Sequence, residues 1–236
     1  MFSKSAKLYD TIYLSRGKNY AAEAHSVHEL VQKQLKSGGK TLLDVACGTG
    51  IHTSYLREHY LVEGLDLDGR MLEVAREKMP EVTFHQGDML DFDLHMQFDV
   101  ITCLFSSIGY VKTVANLNRA MANMSKHLKP GGVLVVEPWF TPEDWHPGHI
   151  HATFVDQPDL KIARMNLSGQ DGNLSYFVFH YMVGTPEDIA TFDERHELGL
   201  FTVDEYLSAF RACGLEVNHD PVWLNARGLY TGFKPV

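Results

Sequence analysis

The chain has 236 residues, 44% of them hydrophobic and 22% charged, which suits one large globular domain or a domain carrying an insertion. Thirty acids against 21 Lys and Arg give a net charge of −9 with no block of like charge. Neither a nucleic acid nor an anionic membrane is therefore expected as a partner, while a small phosphorylated molecule remains allowed.

Three cysteines, Cys47, Cys103 and Cys213, make an odd count that argues against a disulfide framework. No apolar stretch reaches membrane-spanning length, and the first seven residues lack the apolar core of a signal peptide, so the expected compartment is the reducing cytoplasm. Near the N-terminus, Leu8 to Tyr20 carries three tyrosines and two basic residues and reads as an amphipathic helix packing its rings on the body. A helical pattern follows from Tyr20 to Leu35. Next, Thr41-Leu42-Leu43-Asp44-Val45 runs an apolar strand into the turn Ala46-Cys47-Gly48-Thr49-Gly50, whose small residues let backbone N–H groups approach a ligand. A second strand, Leu61 to Leu65, ends at Asp66, placed to accept hydrogen bonds from a ribose diol. Turn and acid together point to a nucleoside cofactor. The third glycine of a dinucleotide fingerprint is missing, since Thr53 holds that position, which argues against NAD; no Gly-Lys-Ser/Thr follows, which excludes a Walker loop.

Helical patterns recur at His52 to His59, Gly69 to Lys78, Thr113 to His127 and Val203 to Cys213. Between them lie a third strand closing in Phe84-His85-Gln86-Gly87-Asp88-Met89, a buried run from Phe98 to Phe105 that ends at Ser106-Ser107-Ile108-Gly109-Tyr110, and a Pro130-Gly131-Gly132 turn into a fifth strand ending at Glu137. This βα alternation implies an α/β fold, a parallel sheet with helices on both faces, with ligands beyond the carboxyl ends of its strands. Between Trp139 and Phe201 the period changes to two. The segments Ile150 to Val155, Lys161 to Leu167, Leu174 to Val183 and Thr191 to Leu200, separated by Gln157-Pro158-Asp159, by Gly169-Gln170-Asp171-Gly172 and by Gly184-Thr185-Pro186, read as an antiparallel meander. Following the fifth strand, it folds over the active-site edge as a lid or a dimerisation sheet.

The pattern Asp44-x-Ala46-x-Gly48-x-Gly50, with Asp66, Asp88-Met89 and the Pro-Gly-Gly turn in register, resembles the class I S-adenosylmethionine (SAM) methyltransferases, with Ala46 in place of their usual leading glycine. The resemblance narrows with Leu8-Tyr9-Asp10, Arg16-Gly17-Lys18-x-Tyr20-Ala21-Ala22-Glu23, Phe105-Ser106-Ser107-Ile108-Gly109, Val136-Glu137-Pro138-Trp139 and Arg227-Gly228-Leu229. Together these look like the N,N-dimethyltransferases of nucleotide-linked amino sugars, of the kind that make desosamine and mycaminose. It implies a Rossmann-like methyltransferase body over residues 1–139 and 202–236, with an inserted antiparallel β meander at 140–201. It also implies a SAM site made by Tyr13, Arg16, Ala46, Cys47, Gly48, Asp66, Leu67, Met71, Asp88, Met89 and Phe105. In that site Asp88 meets the adenine amino group, Met89 lies along the ring, and Arg16 pairs with the cofactor carboxylate under a tyrosine lid.

On the acceptor side the resemblance implies Tyr9, Ser107, Trp139, Arg164 and Arg227, the two arginines as phosphate ligands for a dTDP-linked amino sugar. Tyr110 stands where those enzymes commonly carry His; a tyrosine orients an amine by hydrogen bonding but is a poor base near neutral pH. Glu137 and His180 are the further candidates to accept the amine proton, against readings of Glu137 as a cap on nearby backbone and of His180 as a structural histidine. Proximity and alignment of amine and methyl carry most of this chemistry. The Gly/Pro-rich cluster His146-Pro147-Gly148-His149-Ile150-His151 lacks the acid–His pattern of a metal site, so no metal is expected. Asp66-x-Asp68 and Asp91-x-Asp93 sit on the nucleoside side and do not suggest a magnesium-dependent enzyme. No Asn/Asp-Pro-Pro-Tyr or Pro-Cys motif follows the fourth strand to carry DNA-base methylation. Another small amine, hydroxyl or carboxylate as acceptor, and a SAM-binding protein without catalysis, stay open beside the amino sugar; a homodimer is consistent with the meander.

Overall fold

The computed structural model describes residues 2–223 and 227–236. Met1 and residues 224–226, which belong to the 1–139 and 202–236 body anticipated from sequence, lie outside the described residues.

The first strands form because their residues suit burial on both sides. β1 (Thr41–Val45) and β4 (Phe98–Cys103) are nearly continuous apolar runs, and Leu42, Leu43, Val45, Val100 and Ile101 are all fully buried. With β2 (Leu61–Asp66), β3 (Thr83–Gln86), β5 (Leu128–Val136), β10 (Glu216–Asp220) and β11 (Leu229–Phe233) they build a seven-stranded sheet in the order β10-β11-β5-β4-β1-β2-β3. Only β11 runs against its neighbours, β5 on one side and β10 on the other. The direction of winding reverses between β1 and β4, the switch point at which open α/β sheets bind ligands.

Helices cover both faces. α2 (Tyr20–Gln32) and α3 (Ile51–Leu56) pack on one side around Val27, Val31, Leu56 and Val133; α5 (Val114–Lys126) and α6 (Val203–Ala212) pack on the other around Leu117, Met121, Phe210 and Leu134. Their starts follow the sequence: the Asn19 side chain accepts the Ala22 N–H, Thr113 accepts that of Asn116, and Thr202 with Glu205 forms a reciprocal capping box. Asp68 caps α4 (Gly69–Lys78). The first of these helices ends three residues before Leu35, because the Lys36 and Ser37 N–H groups turn to donate to the Gly131 carbonyl.

A second, four-stranded antiparallel sheet is the meander: β6 (Ile150–Gln157), β7 (Leu160–Asp171), β8 (Leu174–Gly184) and β9 (Ile189–Gly199), in that order. Gly169, Gln170 and Asp171 belong to β7, not to the turn expected there. The turn shrinks to Gly172-Asn173, and Gly169 sits in mid-sheet because the Tyr176 ring lies across its backbone, leaving only 2.3 Å for a Cβ. The Pro-Gly-Gly turn likewise falls inside β5, where a register shift against β4 takes up the extra residues. The inner face of the meander buries Ile162, Phe177, Phe179, Tyr181 and Leu198 against Ile12 of α1 (Tyr9–Ser15). The body and the meander therefore face each other across the carboxyl ends of β1 to β5.

Candidate active site

A cavity of about 1130 Å³ lies between them. Its floor is the turn after β1, where Ala46, Gly48 and Gly50 all take left-handed backbone angles, with φ of +58°, +58° and +70°. No side chain longer than the Ala46 methyl stands on the two of these residues that reach the cavity, so the backbone itself forms the surface. Asp66 clamps the turn: one carboxylate oxygen accepts the Gly48 N–H at 2.7 Å and the other the Asp68 N–H at 2.8 Å. Burial pushes the Asp66 carboxyl up to about 6. Met71 presses on Gly48 from α4, Leu67 and Met89 add apolar wall, and Asp88 stands at the end of β3. Two carboxylates at adjacent strand ends beside a side-chain-poor turn fit an adenosine whose ribose and amino group both need acceptors.

The opposite rim comes from the loop after β4. Phe105 and Ser106 are left-handed in succession, with φ of +52° and +60°, a strained pair for residues with side chains. What holds them is Glu137, whose Oε2 accepts the Phe105 N–H at 2.7 Å, and the Pro138 carbonyl, which accepts the Ser106 hydroxyl at 2.6 Å. From α1, Tyr13 meets the Phe105 ring edge-on at 5.0 Å and Tyr9 packs on Tyr13. Arg16 is exposed at the mouth, its guanidinium 5.9 Å from the Tyr13 ring. Lys18 lies 4.0 Å over Phe105 and pairs with Glu23, which also meets His52 Nε2 at 2.8 Å. Burial raises the Glu23 carboxyl, but the His52 and Lys18 hydrogen bonds outweigh it and hold the group below its ordinary value.

The meander supplies the third wall. Arg164, Asn166 and Ser168, alternate residues of β7, face inward with Thr153 and His151 from β6. Arg164 is 3% exposed, stacks 4.3 Å over Phe179, reaches Thr153 at 3.5 Å and the Tyr181 hydroxyl, and among the described residues leaves Nη1 without a hydrogen-bond partner. Among the described residues no carboxylate lies within ion-pair distance of it. Trp139, Phe140 and Trp145 form an aromatic cluster beside it, and Arg227 sits 5.7 Å from the Trp139 and Phe140 rings.

Sixteen of the nineteen residues anticipated from sequence, Ser107, Tyr110 and Arg227 among them, line this cavity. Three do not. The Cys47 thiol turns away beneath the turn into a cluster with Leu72, Ala75 and Phe84. Glu137 is 2% exposed and stands behind the wall, bound to the Phe105 N–H and, at 2.8 Å, to Arg227. His180 points to the outer face of the meander, 63% exposed by side chain and paired with Asp193 at 2.7 Å; β8 buries Phe179 and Tyr181 inward, and its alternation sends His180 out. Neither is placed to take a proton from a molecule in the cavity. Lys18, Glu23 and His196 are wall or near-wall residues not singled out by sequence. Glu23 and Lys18 sat within a quoted motif without a role, and His196 shares the inward phase of Glu194 and Leu198 on β9.

Residues 42–132 match the family model described as a methyltransferase domain. The chain is 40% identical, over 96% of its length and 89% of the relative's, to a dTDP-3-amino-3,6-dideoxy-alpha-D-glucopyranose N,N-dimethyltransferase of Streptomyces fradiae. It belongs to the sugar N-methyltransferase family of SAM-dependent enzymes. Its fold superposes on the crystal structure of Streptomyces venezuelae DesVI with a TM-score of 0.92, at 40% identity and 98% coverage of both chains. A TM-score of 0.87, with 38% identity and 96% coverage of both, relates it to SAM-bound CalS10, an amino pentose methyltransferase of Micromonospora echinaspora. The cofactor is SAM. No helix among the described residues is long and apolar enough to cross a membrane.

Proposed function

We propose that this enzyme methylates the amino group of a dTDP-linked amino sugar, held in the cavity between the nucleoside end and the meander. The observation that carries this reading is Arg164. A guanidinium buried without a carboxylate is costly, and a diphosphate in the cavity would supply both the missing charge and acceptors for its planar fork. Arg227, already matched to Glu137, lines the same cavity and is a second candidate contact. The volume supports two ligands, since single drug-sized ligands occupy roughly 300 to 1000 Å³. The relatives' names point the same way.

Asp66 and Asp88 would hold SAM, which would supply a methyl on positively charged sulfur; the amine lone pair would attack that carbon, the C–S electrons would stay on sulfur, and the new ammonium would give its proton to solvent. The chain's part is alignment: Phe105, Tyr9 and Tyr13 exclude water and face a cation with aromatic rings, and Tyr110 lies on the same wall. Residues 140–201 act in this reading as an inserted unit that closes the acceptor side. Its outer face leaves Ile150, Phe154, Met165, Leu167 and Met182 exposed, an apolar patch suited to a homodimer. Three free cysteines fit a reducing cytoplasm.

The test is mass spectrometry of products after incubation with SAM and either a dTDP-linked 3-amino or 4-amino sugar or the free amino sugar. One or two added methyl masses on the nucleotide-linked acceptor alone are expected. Equal turnover of the free sugar, or methylation confined to hydroxyl or carboxylate acceptors, would remove the proposal.

A further inference from the structure

Tyr110 enters the cavity from the loop after β4, and its hydroxyl lies 2.7 Å from Nδ1 of His196 on β9. That imidazole is 0% exposed. Phe2, Phe179 and Phe177 surround it at ring-centroid distances of 4.2, 5.3 and 5.4 Å, and among the described residues its other nitrogen, Nε2, has no hydrogen-bond partner. Burying an imidazole with one nitrogen unsatisfied costs stability, and the packing alone would be better served by a phenyl ring. What the imidazole adds is its contact with Tyr110.

Both partners are neutral. Burial, then nearby positive charge including that of Arg164, pushes His196 down to about 3, and burial with the neighbouring Tyr13 and Glu194 pushes the Tyr110 hydroxyl well up. One hydrogen therefore lies between them, and its direction decides what the tyrosine offers the cavity. An unheld hydroxyl rotates and can donate to an amine lone pair, masking the nucleophile. A hydroxyl whose hydrogen is committed elsewhere can only accept.

We propose that His196 is a positioning residue whose Nδ1 accepts the Tyr110 O–H, so that the Tyr110 oxygen turns only lone pairs to the cavity and accepts an N–H of the acceptor amine. This rests on the amine reading above and adds to it how the amine is oriented. With an N–H held by Tyr110, the nitrogen lone pair is free for the methyl. A primary amine has such an N–H before the first transfer, and the neutral secondary amine still has one before the second. Each transfer leaves an ammonium that still carries the held N–H and gives up a proton to solvent afterwards; the neutral tertiary amine then has no N–H, so the contact that seats the acceptor is not remade once methylation is complete. His196 takes no proton in this scheme, in keeping with its burial beside Arg164. The Nε2–H, left among aromatic rings, is the cost of that arrangement.

Two variants and one spectrum test it. His196→Phe keeps a planar ring without an acceptor, and His196→Asn places a side-chain oxygen near the Nδ1 position. In His196→Phe, kcat should fall about ten- to a hundredfold with SAM affinity by calorimetry unchanged. Tyr110→Phe should lose as much, the double variant no more than either alone, and His196→Asn should regain most of it. Multiplying losses in the double variant, or His196→Phe turning over at the parental rate, would overturn the proposal. Nitrogen NMR of the SAM-bound enzyme needs no acceptor and should show His196 as the neutral Nε2–H tautomer across roughly neutral pH. An Nδ1–H tautomer or an imidazolium would overturn the proposal whatever the acceptor. The expected tautomer in an enzyme that methylates no amino sugar would place the failure in the acceptor reading instead.

Discussion

Replacing Glu137 separates a proton acceptor from a scaffold, and the two make different predictions. Its carboxylate is 2% exposed and fully committed, to the Phe105 N–H at 2.7 Å and to Arg227 at 2.8 Å. Glu137→Ala leaves an orphaned N–H, worth about 1 to 3 kcal/mol, and takes the carboxylate away from a largely buried guanidinium. Breaking one side of such a pair typically costs about 3 to 5 kcal/mol in all. The loss falls on Phe105 and Ser106, whose successive left-handed backbones already store strain of about 1 to 2 kcal/mol each. At about 2 to 4 °C per kcal/mol for a chain of this size, scanning calorimetry should show Tm lower by roughly 6 to 20 °C. Glu137→Gln retains one acceptor oxygen while its amide N–H opposes the other donor, so about half that drop is expected. Glu137→Ala combined with Arg227→Ala should recover part of the loss, because the guanidinium that lost its carboxylate is removed with it. A Glu137→Gln enzyme that melts with the parent but has lost kcat by about a thousandfold or more would refute the scaffold argument and return the residue to acid–base work.

Asp66 as a ribose ligand predicts pH-dependent cofactor binding. Its folded pKa is raised to about 6, so its contribution to stability is present at low pH and lost as pH rises through 6, whereas a ribose acceptor must be ionised. The SAM Kd should therefore rise about five- to tenfold as pH falls from 6 to 5, and calorimetry on Asp66→Asn should give a weaker, pH-flat Kd. Ala46→Gly should relieve a left-handed alanine, raising Tm by about 1 to 4 °C once glycine's extra unfolded freedom is deducted; an unchanged or lower Tm would count against that turn geometry. Arg164→Ala should raise the acceptor KM roughly ten- to a hundredfold with SAM affinity intact, and steady-state kinetics showing no change would leave the diphosphate without its anchor. Phe154→Glu on the outer meander face should convert a dimer to monomers in analytical ultracentrifugation, and a monomeric parent would dispose of the homodimer.

Much of the body is legible in the sequence because its determinants are local. An apolar strand such as Leu42 to Val45, a capping residue such as Thr113 or Asn19, and an acid at a strand's end each announce an element within a few residues. The meander's period of two was equally plain, but its turns were not. Gly169 looks like a turn residue and is a strand residue, because the reason for a glycine there is the Tyr176 ring across the ladder, which no local window contains. The same holds for Pro130-Gly131-Gly132, where the glycines answer to a close approach of Ser37 and Asp99 and not to the end of the strand.

In the site, legibility depended on whether a side chain works through its own position or through a partner far along the chain. Asp66 and Asp88 are read from where their strands end. His180 and His196 lie on adjacent strands of one sheet and look alike in sequence; only the phase of β8 against β9, which pairs His180 with Asp193 and Phe177 with His196, decides that one meets solvent and the other a buried tyrosine. Glu137 misled for the same reason. A carboxylate at the mouth of a catalytic cleft resembles a base until its two oxygens are traced, 32 residues back to Phe105 and 90 residues on to Arg227. Those bonds tie the loop after β4 to the C-terminal strand and hold a strained turn beside the reacting groups. Such a turn keeps its geometry only if its surroundings over-determine it, so the buried pair and the strain belong to one device, and the acid at the end of β5 fixes Phe105 from behind the cavity wall.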